Sequence, residues 1–254
     1  MSPTTTYANY NPFARMYNEY WGPKSCKNKL PVLEKLVLHH LPKDASILDL
    51  CCGTGQLVQQ LLSRGYQVTG LDTSEEMLHY AHQNAPDAKF ILEDARLFQQ
   101  PLTYHAVVST SVGLNHMMSL EELKSVFKNV YAALLDNGCF LFDLNLEGKF
   151  QSYGTESVLT EGDVQDEYAW ACRESYIPEE KISPIAITIF HLVEANWQRS
   201  DITWLLKAYS KSEIQSALEA VGFSEVIIYD RDGNLATASS NSYAFFMGRK
   251  RLNG

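Results

Sequence analysis

Hydrophobic residues follow two different periods along the first 145 residues of the chain. Short apolar runs predict strands at 46–50, 66–71, 88–92, 104–110 and 139–144. Between them, apolar residues recur every three or four positions and predict helices at 26–41, 55–64, 74–84 and 120–135. Such a succession of strands and helices with short connections is typical of an α/β protein with a parallel sheet covered by helices on both faces.

The pattern changes between residues 146 and 207. Apolar and polar residues alternate there in the stretches DEYAWACRESYI, ITIFHLVEANW and SDITWLLKAY, which show no clear helical period. This alternation predicts an antiparallel β insertion. A helix at 211–221 and strands at 223–229 and 242–248 follow. We therefore predict a core formed by residues 1–145 and 208–254, with an insertion at 146–207.

Composition narrows the class of protein. The 254 residues are 45% hydrophobic and 20% charged, and the net charge of -9 lacks the positive footprint expected of a nucleic-acid-binding protein. No apolar run is long enough to span a bilayer, and the first residues do not resemble a secretory signal. The five cysteines include no CxxC pair, so we expect reduced thiols in a cytoplasmic protein, either a monomer or a homodimer.

A glycine-containing loop follows the first predicted strand, in the stretch ILDLCCGTGQLVQQLL. Gly53 and Gly55 allow the backbone to approach a ligand closely, and the small Cys51 beside them leaves space open. Ligands of open α/β sheets bind at the carboxyl ends of strands, which is where this loop lies. The alternative is that the glycines only form a tight turn.

Polar residues also follow the next three predicted strands. Asp72 lies about 20 residues beyond the loop, the spacing at which a carboxylate binds a ribose diol. Glu93 and Asp94 follow the third strand, and STSVGLNH follows the fourth. Together these positions predict a ligand that contains a nucleoside. Val58 stands where a dinucleotide-binding loop has a small residue, which disfavours NAD or FAD.

The stretches LDLCCGTGQ, VTGLDTSEEML and LEDAR together resemble the class I S-adenosylmethionine-dependent methyltransferase family, from about residue 46 to residue 145. This resemblance implies a Rossmann-like, mostly parallel sheet of seven strands with a final antiparallel strand, and S-adenosyl-L-methionine as the cofactor. It assigns residues to the methionine part (Asp49, Cys51, Gly53, Gly55), the ribose (Asp72), the adenine (Thr73, Met77, Asp94, Ala95) and the sulfonium (Ser109, Thr110).

The tyrosine-rich start of the chain is a candidate lid, which we place at residues 1–25. It contains Tyr7, Tyr10, Tyr17, Tyr20 and Trp21. In similar methyltransferases a tyrosine of such a segment reaches the cofactor or the acceptor, and Tyr17 matches that position best, followed by Tyr20. The alternative is that these aromatic residues only pack on the first helix.

Acceptor-side candidates come from two regions. His116 follows the fourth strand and is a candidate general base because its ordinary pKa suits neutral pH. The other candidates for binding the acceptor are Asn115 beside it, Asn145 with Asp143 at the end of the fifth strand, and Trp170, Arg173 and His191 on the insertion. Alternation places Trp170 and Arg173 on opposite faces, so only one of these faces looks inward. No cluster of metal ligands stands out.

These patterns predict a methyltransferase that acts on a nitrogen or oxygen atom of a small molecule by in-line displacement, with a slight preference for an amine. The insertion then forms the roof over the acceptor. Two alternatives remain open: an NAD-dependent oxidoreductase, which Val58 disfavours, and a non-catalytic S-adenosylmethionine-binding protein without an acceptor cavity. The identity of the acceptor does not follow from the sequence.

Overall fold

The computed structural model describes residues 10–237 and 239–251. The helices of this part are α1 (Ala14–Met16), α2 (Gly22–Leu36), α3 (Gln56–Leu62), α4 (Glu75–Asn84), α5 (Leu120–Ala133), α6 (Glu147–Gln151) and α7 (Lys211–Val221). The strands are β1 (Ser46–Leu50), β2 (Gln67–Asp72), β3 (Lys89–Leu92), β4 (Tyr104–Ser109), β5 (Leu134–Asn145), β6 (Val158–Val164), β7 (Tyr168–Glu174), β8 (Ile182–Val193), β9 (Asn196–Lys207), β10 (Ser224–Tyr229) and β11 (Tyr243–Arg249). None of these helices has the length and apolar character needed to cross a membrane.

The larger sheet has seven strands in the order β10-β11-β5-β4-β1-β2-β3. β11 runs antiparallel to both of its neighbours, β5 and β10, while the other neighbouring pairs are parallel. The predicted mostly parallel sheet with an antiparallel strand is therefore confirmed. The strand order reverses between β1 and β4, and such a reversal opens a crevice at the carboxyl ends of the two strands.

Side chains of the central strands alternate between two buried cores. Leu48 and Leu50 of β1 pack on one face of the sheet with Phe127 of α5. Ile47, the residue before Leu48, packs on the other face with Leu33 of α2. Both faces of β1 are covered by helices, which explains why its sequence is a nearly continuous apolar run.

The smaller sheet is antiparallel, with the strand order β6-β7-β8-β9, and lies within the predicted insertion. Trp170 and Cys172 of β7 are buried, whereas Arg173 is exposed, so the tryptophan face looks inward. The insertion also contains the short helix α6, which the alternating pattern did not predict. Whether residues 146–207 behave as a separate domain stays a prediction.

The N-terminal segment, residues 10–21, lies between the two sheets. It passes from a 3₁₀ turn (Asn11–Phe13) through α1 into a π-helical turn (Tyr17–Trp21). Phe13 and Met16 are fully buried in a cluster that includes Met77 of α4 and the inward residues of the smaller sheet. The segment therefore covers the carboxyl edge of the larger sheet. Tyr7 of the predicted lid lies outside the described residues.

The helix predicted at 26–41 begins earlier and ends earlier than expected. α2 starts at Gly22, with Pro23 in its first turn, and ends at Leu36. Proline suits the first turn of a helix because its fixed φ is already helical. The first four residues of α2 were missed because their sequence, GPKS, gives no apolar period.

The boundary between α5 and β5 also differs from the prediction. Leu134 was expected in the helix but pairs with Tyr104 as the first residue of β5. Residues 137–138, which lie between the predicted helix and the predicted strand, form an irregularity within β5, where Asn137 has φ 62° and the register with β4 shifts. An apolar residue at such a junction fits either element, so periodicity does not place the boundary.

The position of the N-terminal segment depends on one buried ring. We expect Phe13→Ala to lower the free energy of unfolding by about 3–5 kcal/mol, because a fully buried phenyl ring is removed and a cavity remains. Urea unfolding followed by circular dichroism measures this change. Leu159→Ala is the control, since Leu159 is 68% exposed and should cost less than about 0.5 kcal/mol. Equal effects of the two substitutions would contradict the buried position of Phe13.

Candidate active site

A cavity lies at the carboxyl ends of β1, β2, β3 and β4, on the crevice where the strand order reverses. It encloses about 690 Å³ of space. Its lining residues come from the strand ends and from the N-terminal segment: Tyr10, Tyr17, Cys51, Gly53, Leu71, Asp72, Thr73, Met77, Asp94, Ala95, Thr110, Ser111, Gly113, His116 and Met117. We call it the strand-end cavity.

The two glycines of the loop after β1 have different tasks. Both have positive φ, 54° for Gly53 and 77° for Gly55. A Cβ atom on Gly53 would lie 3.1 Å from the Tyr17 ring, so this glycine lets the N-terminal segment approach the cavity. A Cβ on Gly55 would lie 3.0 Å from the Cα of Ala81, so Gly55 instead allows the loop to pack on α4.

The Asp72 carboxylate joins the loop to the start of α4. Its Oδ2 accepts a hydrogen bond from the Gly53 N–H at 2.9 Å, and its Oδ1 accepts one from the Ser74 N–H at 3.0 Å. Ser74 caps α4 by accepting from the Met77 N–H. Burial raises the pKa of Asp72, and the backbone donors oppose that rise. The carboxylate is thus held rigidly at the cavity wall.

Asp49 lies beneath the loop and is 2% exposed. Burial, and to a smaller extent the charge of Asp72, raise the pKa of Asp49 to about 8. No cation is paired with it in the described part of the chain. It borders a small space next to the strand-end cavity, together with Tyr17 and Thr110. A cationic group placed there would convert Asp49 to its charged form.

The adjacent thiols of Cys51 and Cys52 are free, and burial raises the pKa of both. They therefore stay protonated and unreactive, in line with the expectation that they pack and leave space rather than react.

A second, larger cavity lies between α2, the smaller sheet and the loop after β10. It encloses about 2190 Å³ up to its open side. We call it the outer cleft. Four residues line both this cleft and the strand-end cavity: Tyr10, Tyr17, Ser111 and His116. This set, which we call the neck, is the place where the two cavities meet.

The neck is aromatic and half-buried. The Tyr10 hydroxyl is hydrogen-bonded to Nε2 of His116, and the Tyr10 ring stacks on Trp204 with a centroid distance of 4.3 Å. Burial lowers the pKa of His116 to about 4 and raises the pKa of Tyr17. At neutral pH the neck therefore presents an uncharged imidazole and two protonated phenols.

Asp143 anchors the wall of the neck. Its carboxylate accepts hydrogen bonds from the backbone of Ser111 at 3.2 Å and of Val112 at 2.7 Å. Both of these residues have positive φ, 70° and 57°, which is uncommon for residues with side chains. The buried acceptor compensates for that strain and fixes the loop after β4.

Ten of the sequence-predicted site residues line the strand-end cavity: Tyr17, Cys51, Gly53, Asp72, Thr73, Met77, Asp94, Ala95, Thr110 and His116. Four other candidates for the cofactor do not reach it: Tyr20, Asp49, Gly55 and Ser109. Tyr20 packs edge-on against Trp170 on the far side of the N-terminal segment. Ser109 is buried under the loop, and its role stays a prediction.

The acceptor-side candidates fall into different places. Asn145 and His116 line the outer cleft. Asn115 is fully buried, and its amide group donates to the carbonyls of Asn145 and Lys207, so it ties β5 to β9. Trp170 is buried beside Trp21.

The structure does not bring Arg173 or His191 to the cleft. Arg173 is exposed on the outward face of β7 and donates to the Ser157 carbonyl. His191 of β8 is half-buried, and the groups that shift its pKa include the Pro12 backbone. The alternating pattern of the strands left the inward face undetermined, which explains why a residue of the outward face was included.

Several residues of the neck and cleft were not selected from the sequence, among them Ser111, Lys29 and Tyr243. Tyr10 was named only as part of the aromatic segment. Ser111 lies one residue beyond the predicted Thr110, so its place after a strand end was an available signal. Lys29 and Tyr243 are 214 positions apart and interact only through the fold, so no local pattern predicts them.

Comparisons with known proteins agree with this geometry. Residues 47–138 match a family model described as a methyltransferase domain. A Bacillus subtilis protein named as a methyltransferase is 28% identical over 219 residues, 84% of this chain and 86% of that protein. A Streptomyces fradiae dTDP-3-amino-3,6-dideoxy-alpha-D-glucopyranose N,N-dimethyltransferase is 34% identical over 106 residues, 42% of each chain.

A crystal structure of an S-adenosylmethionine-dependent methyltransferase from Clostridium acetobutylicum shares the fold, with a TM-score of 0.80 and 21% identity over 95% of this chain and 99% of that one. These similarities indicate a methyltransferase domain at residues 47–138 and support S-adenosylmethionine as the cofactor. The NAD-dependent alternative is therefore set aside. Cellular location and oligomeric state stay predictions.

The residues of the strand-end cavity fit this cofactor chemically. Asp72 offers a rigid carboxylate for a diol, and Met77 offers a buried apolar surface for a base. The hydroxyl of Ser109 lies buried under the loop. Asp94 faces the cavity while Arg96 holds its carboxylate at 2.7 Å. The described residues contain no group of three or more His, Cys, Asp or Glu that could hold a metal ion.

The low pKa of His116 can be tested directly. We expect its imidazole resonances to titrate with a midpoint of about 4 instead of 6.5. In that interval the unfolded chain binds more protons than the folded one, so stability falls as the pH falls. NMR titration measures the midpoint, with His116→Gln for assignment. The variant should also lose less stability than the wild type between about pH 7 and pH 5. A midpoint near 6.5 would show that the neck is wet.

Proposed function

We propose that this methyltransferase transfers the methyl group to an amine nitrogen of a small molecule held in the outer cleft. The neck carries this proposal, because it is the opening through which a molecule in the cleft meets the strand-end cavity. In-line displacement needs the nucleophile close to the methyl carbon and aligned with the bond that breaks. An opening between two cavities that is lined by half-buried aromatic side chains supports such an alignment.

The cofactor supplies a methyl group on a positively charged sulfur. Asp72 binds the ribose hydroxyls in this proposal, and Asp49, with the backbone of Cys51 and Gly53, faces the methionine part. Burial of Asp49 without a paired cation supports its assignment to the ammonium group. Further assignments are Thr73, Met77, Asp94 and Ala95 to the adenine and Ser109 and Thr110 to the sulfonium side. Gly55 is reassigned to helix packing.

His116 and Tyr10 position the acceptor in this proposal. A histidine with a pKa of about 4 binds a proton weakly at neutral pH, which argues against the general base considered from the sequence. An amine that enters as the free base needs no such group, because its lone pair is already the nucleophile. An alcohol acceptor depends on proton removal, so a neck whose side chains are uncharged and bind protons weakly favours nitrogen over oxygen.

The smaller sheet forms the roof over the acceptor. Ile185, Trp204 and Leu206 on its inward face line the outer cleft. The cleft also separates this chain from a non-catalytic cofactor-binding protein, for which no acceptor cavity is expected beside the methyl group. The name of the Streptomyces fradiae relative describes dimethylation of an amino sugar nitrogen, which supports the assignment to an amine.

Cofactor affinity should depend on pH through Asp49. Its carboxyl group has a pKa of about 8, so at about pH 6 it is neutral and attracts a ligand ammonium weakly. We expect the affinity for S-adenosylhomocysteine to rise several-fold between about pH 6 and pH 8, with tenfold per pH unit as the upper limit for one proton. Calorimetric titration at a series of pH values measures the dependence.

Two matched variants distinguish the contributions of Asp49 and Asp72 to cofactor binding. Asp49→Asn should bind S-adenosylhomocysteine with little dependence on pH, because the titrating group is gone. Asp72→Asn should weaken binding at every pH by about tenfold or more, because a charged hydrogen bond to the ligand is lost. An unchanged pH dependence in Asp49→Asn would remove Asp49 from the cofactor site.

The acceptor class is tested with methyl-labelled S-adenosylmethionine and a panel of small amines, including amino sugars, each paired with the compound that has a hydroxyl in place of the amine. We expect label on the amines at rates at least about tenfold above those of the hydroxyl partners. Asp72→Asn is the control for cofactor-dependent transfer. Label on the hydroxyl compounds alone would overturn nitrogen as the acceptor atom.

A further inference from the structure

One arm of the outer cleft is lined by cations, although the whole chain has a net charge of -9. Lys29 and Lys35 of α2 and Arg231 after β10 line the cleft together with Tyr243. Nζ of Lys29 lies 4.0 Å from the centre of the Tyr243 ring, and Cζ of Arg231 lies 4.6 Å from it. We call Lys29, Lys35 and Arg231 the cationic arm.

The buried carboxylate beside this arm is already paired with a cation. Asp143 forms an ion pair with Lys29 at 2.6 Å and accepts hydrogen bonds from the Tyr243 hydroxyl at 2.5 Å and from the backbone of Ser111 and Val112. Three of these four donors meet at Oδ2, and Oδ1 accepts from the Val112 N–H. Asp143 therefore neutralises Lys29, and its fully buried side chain forms no ion pair with the exposed Lys35 or Arg231 in the described part of the chain.

The remaining donors of the arm exceed its acceptors. Lys35 donates one hydrogen bond, to Oδ1 of Asn234 at 3.0 Å, and keeps two further donors. The guanidinium of Arg231 forms no hydrogen bond or ion pair with the described residues. Asp230 is engaged by the backbone of residues 232 and 234, which leaves Asp232 as the other carboxylate lining the arm. A ligand with several oxygen acceptors would complete this arm.

We propose that the cationic arm binds a phosphate or diphosphate group of the acceptor molecule. The proposal rests on the function proposed for the outer cleft and adds the class of acceptor, a phosphorylated small amine. Arg231 can bind two phosphate oxygens at once through its planar guanidinium, and Lys35 adds a second positive charge. A carboxylate has one charge and two oxygens, so it matches the surplus of donors less well.

The length of α2 limits the size of this acceptor. The Ser25 hydroxyl is hydrogen-bonded to the hydroxyl of Ser111, which belongs to the neck. Lys29 and Lys35 follow Ser25 by four and ten residues, so they lie roughly 6 and 15 Å further along the helix axis. The phosphate group is therefore separated from the reacting nitrogen by roughly 6–15 Å.

Calorimetric titration with inorganic pyrophosphate tests the arm without methyl transfer. We expect the wild type to bind pyrophosphate, and Arg231→Gln and Lys35→Gln each to bind it about tenfold more weakly. Lys128→Gln is the matched control, since it removes one positive charge from the exposed surface of α5. All variants should keep the wild-type affinity for S-adenosylhomocysteine, which reports an intact strand-end cavity.

Two results would overturn the cationic arm. One is a wild type that binds S-adenosylhomocysteine but no pyrophosphate. The other is pyrophosphate binding that Arg231→Gln and Lys35→Gln weaken no more than Lys128→Gln does. Both results come from pyrophosphate titration and are independent of the methyl-transfer assay with the amine panel. Methyl transfer to uncharged amines without pyrophosphate binding would support the proposed function and reject phosphate binding at the cationic arm. Pyrophosphate binding that depends on the arm, without transfer to any amine, would support the phosphate site and reject the amine as the acceptor.

Discussion

The site depends on the packing of the N-terminal segment between the two sheets. Phe13 and Met16 are fully buried there, against Met77 of α4 and the inward face of the smaller sheet. This apolar contact places Tyr10 and Tyr17 at the junction of the two cavities. Because the segment contributes residues to both cavities, the stability of its buried rings and the geometry of methyl transfer are linked.

Three carboxylates at strand ends create the electrostatic character of the site, and each has a different set of partners. Asp143 forms an ion pair with a lysine and accepts hydrogen bonds from a tyrosine and two backbone N–H groups. Asp72 is held by two backbone N–H groups, and it stays at the cavity wall. Asp49 has no paired cation in the described residues, and its pKa rises to about 8. The three side chains are chemically identical, so the differences between them follow from the donors that the fold brings to each carboxylate.

Sequence patterns predicted the parts of the site that lie directly after strands. Gly53 and Asp72 follow β1 and β2, and parallel strands bring their carboxyl ends to one edge of a sheet. A local pattern therefore has a spatial meaning for these residues. Arg173 had no such marker, because alternation along a strand defines two faces without telling which one is buried. The packing of one face of the smaller sheet on the N-terminal segment made that choice.

The sequence by itself determined the α/β class, since apolar periods are properties of neighbouring residues, and its resemblance to a known family implied the seven-stranded sheet and the cofactor. Only the tertiary structure decided how the outer cleft is built. The pairs Tyr10 with His116 and Lys29 with Asp143 are more than 100 residues apart in the chain. Their contacts arise from the packing of whole elements, and the free energy that selects such packing is spread over many side chains, so no short stretch of sequence records it.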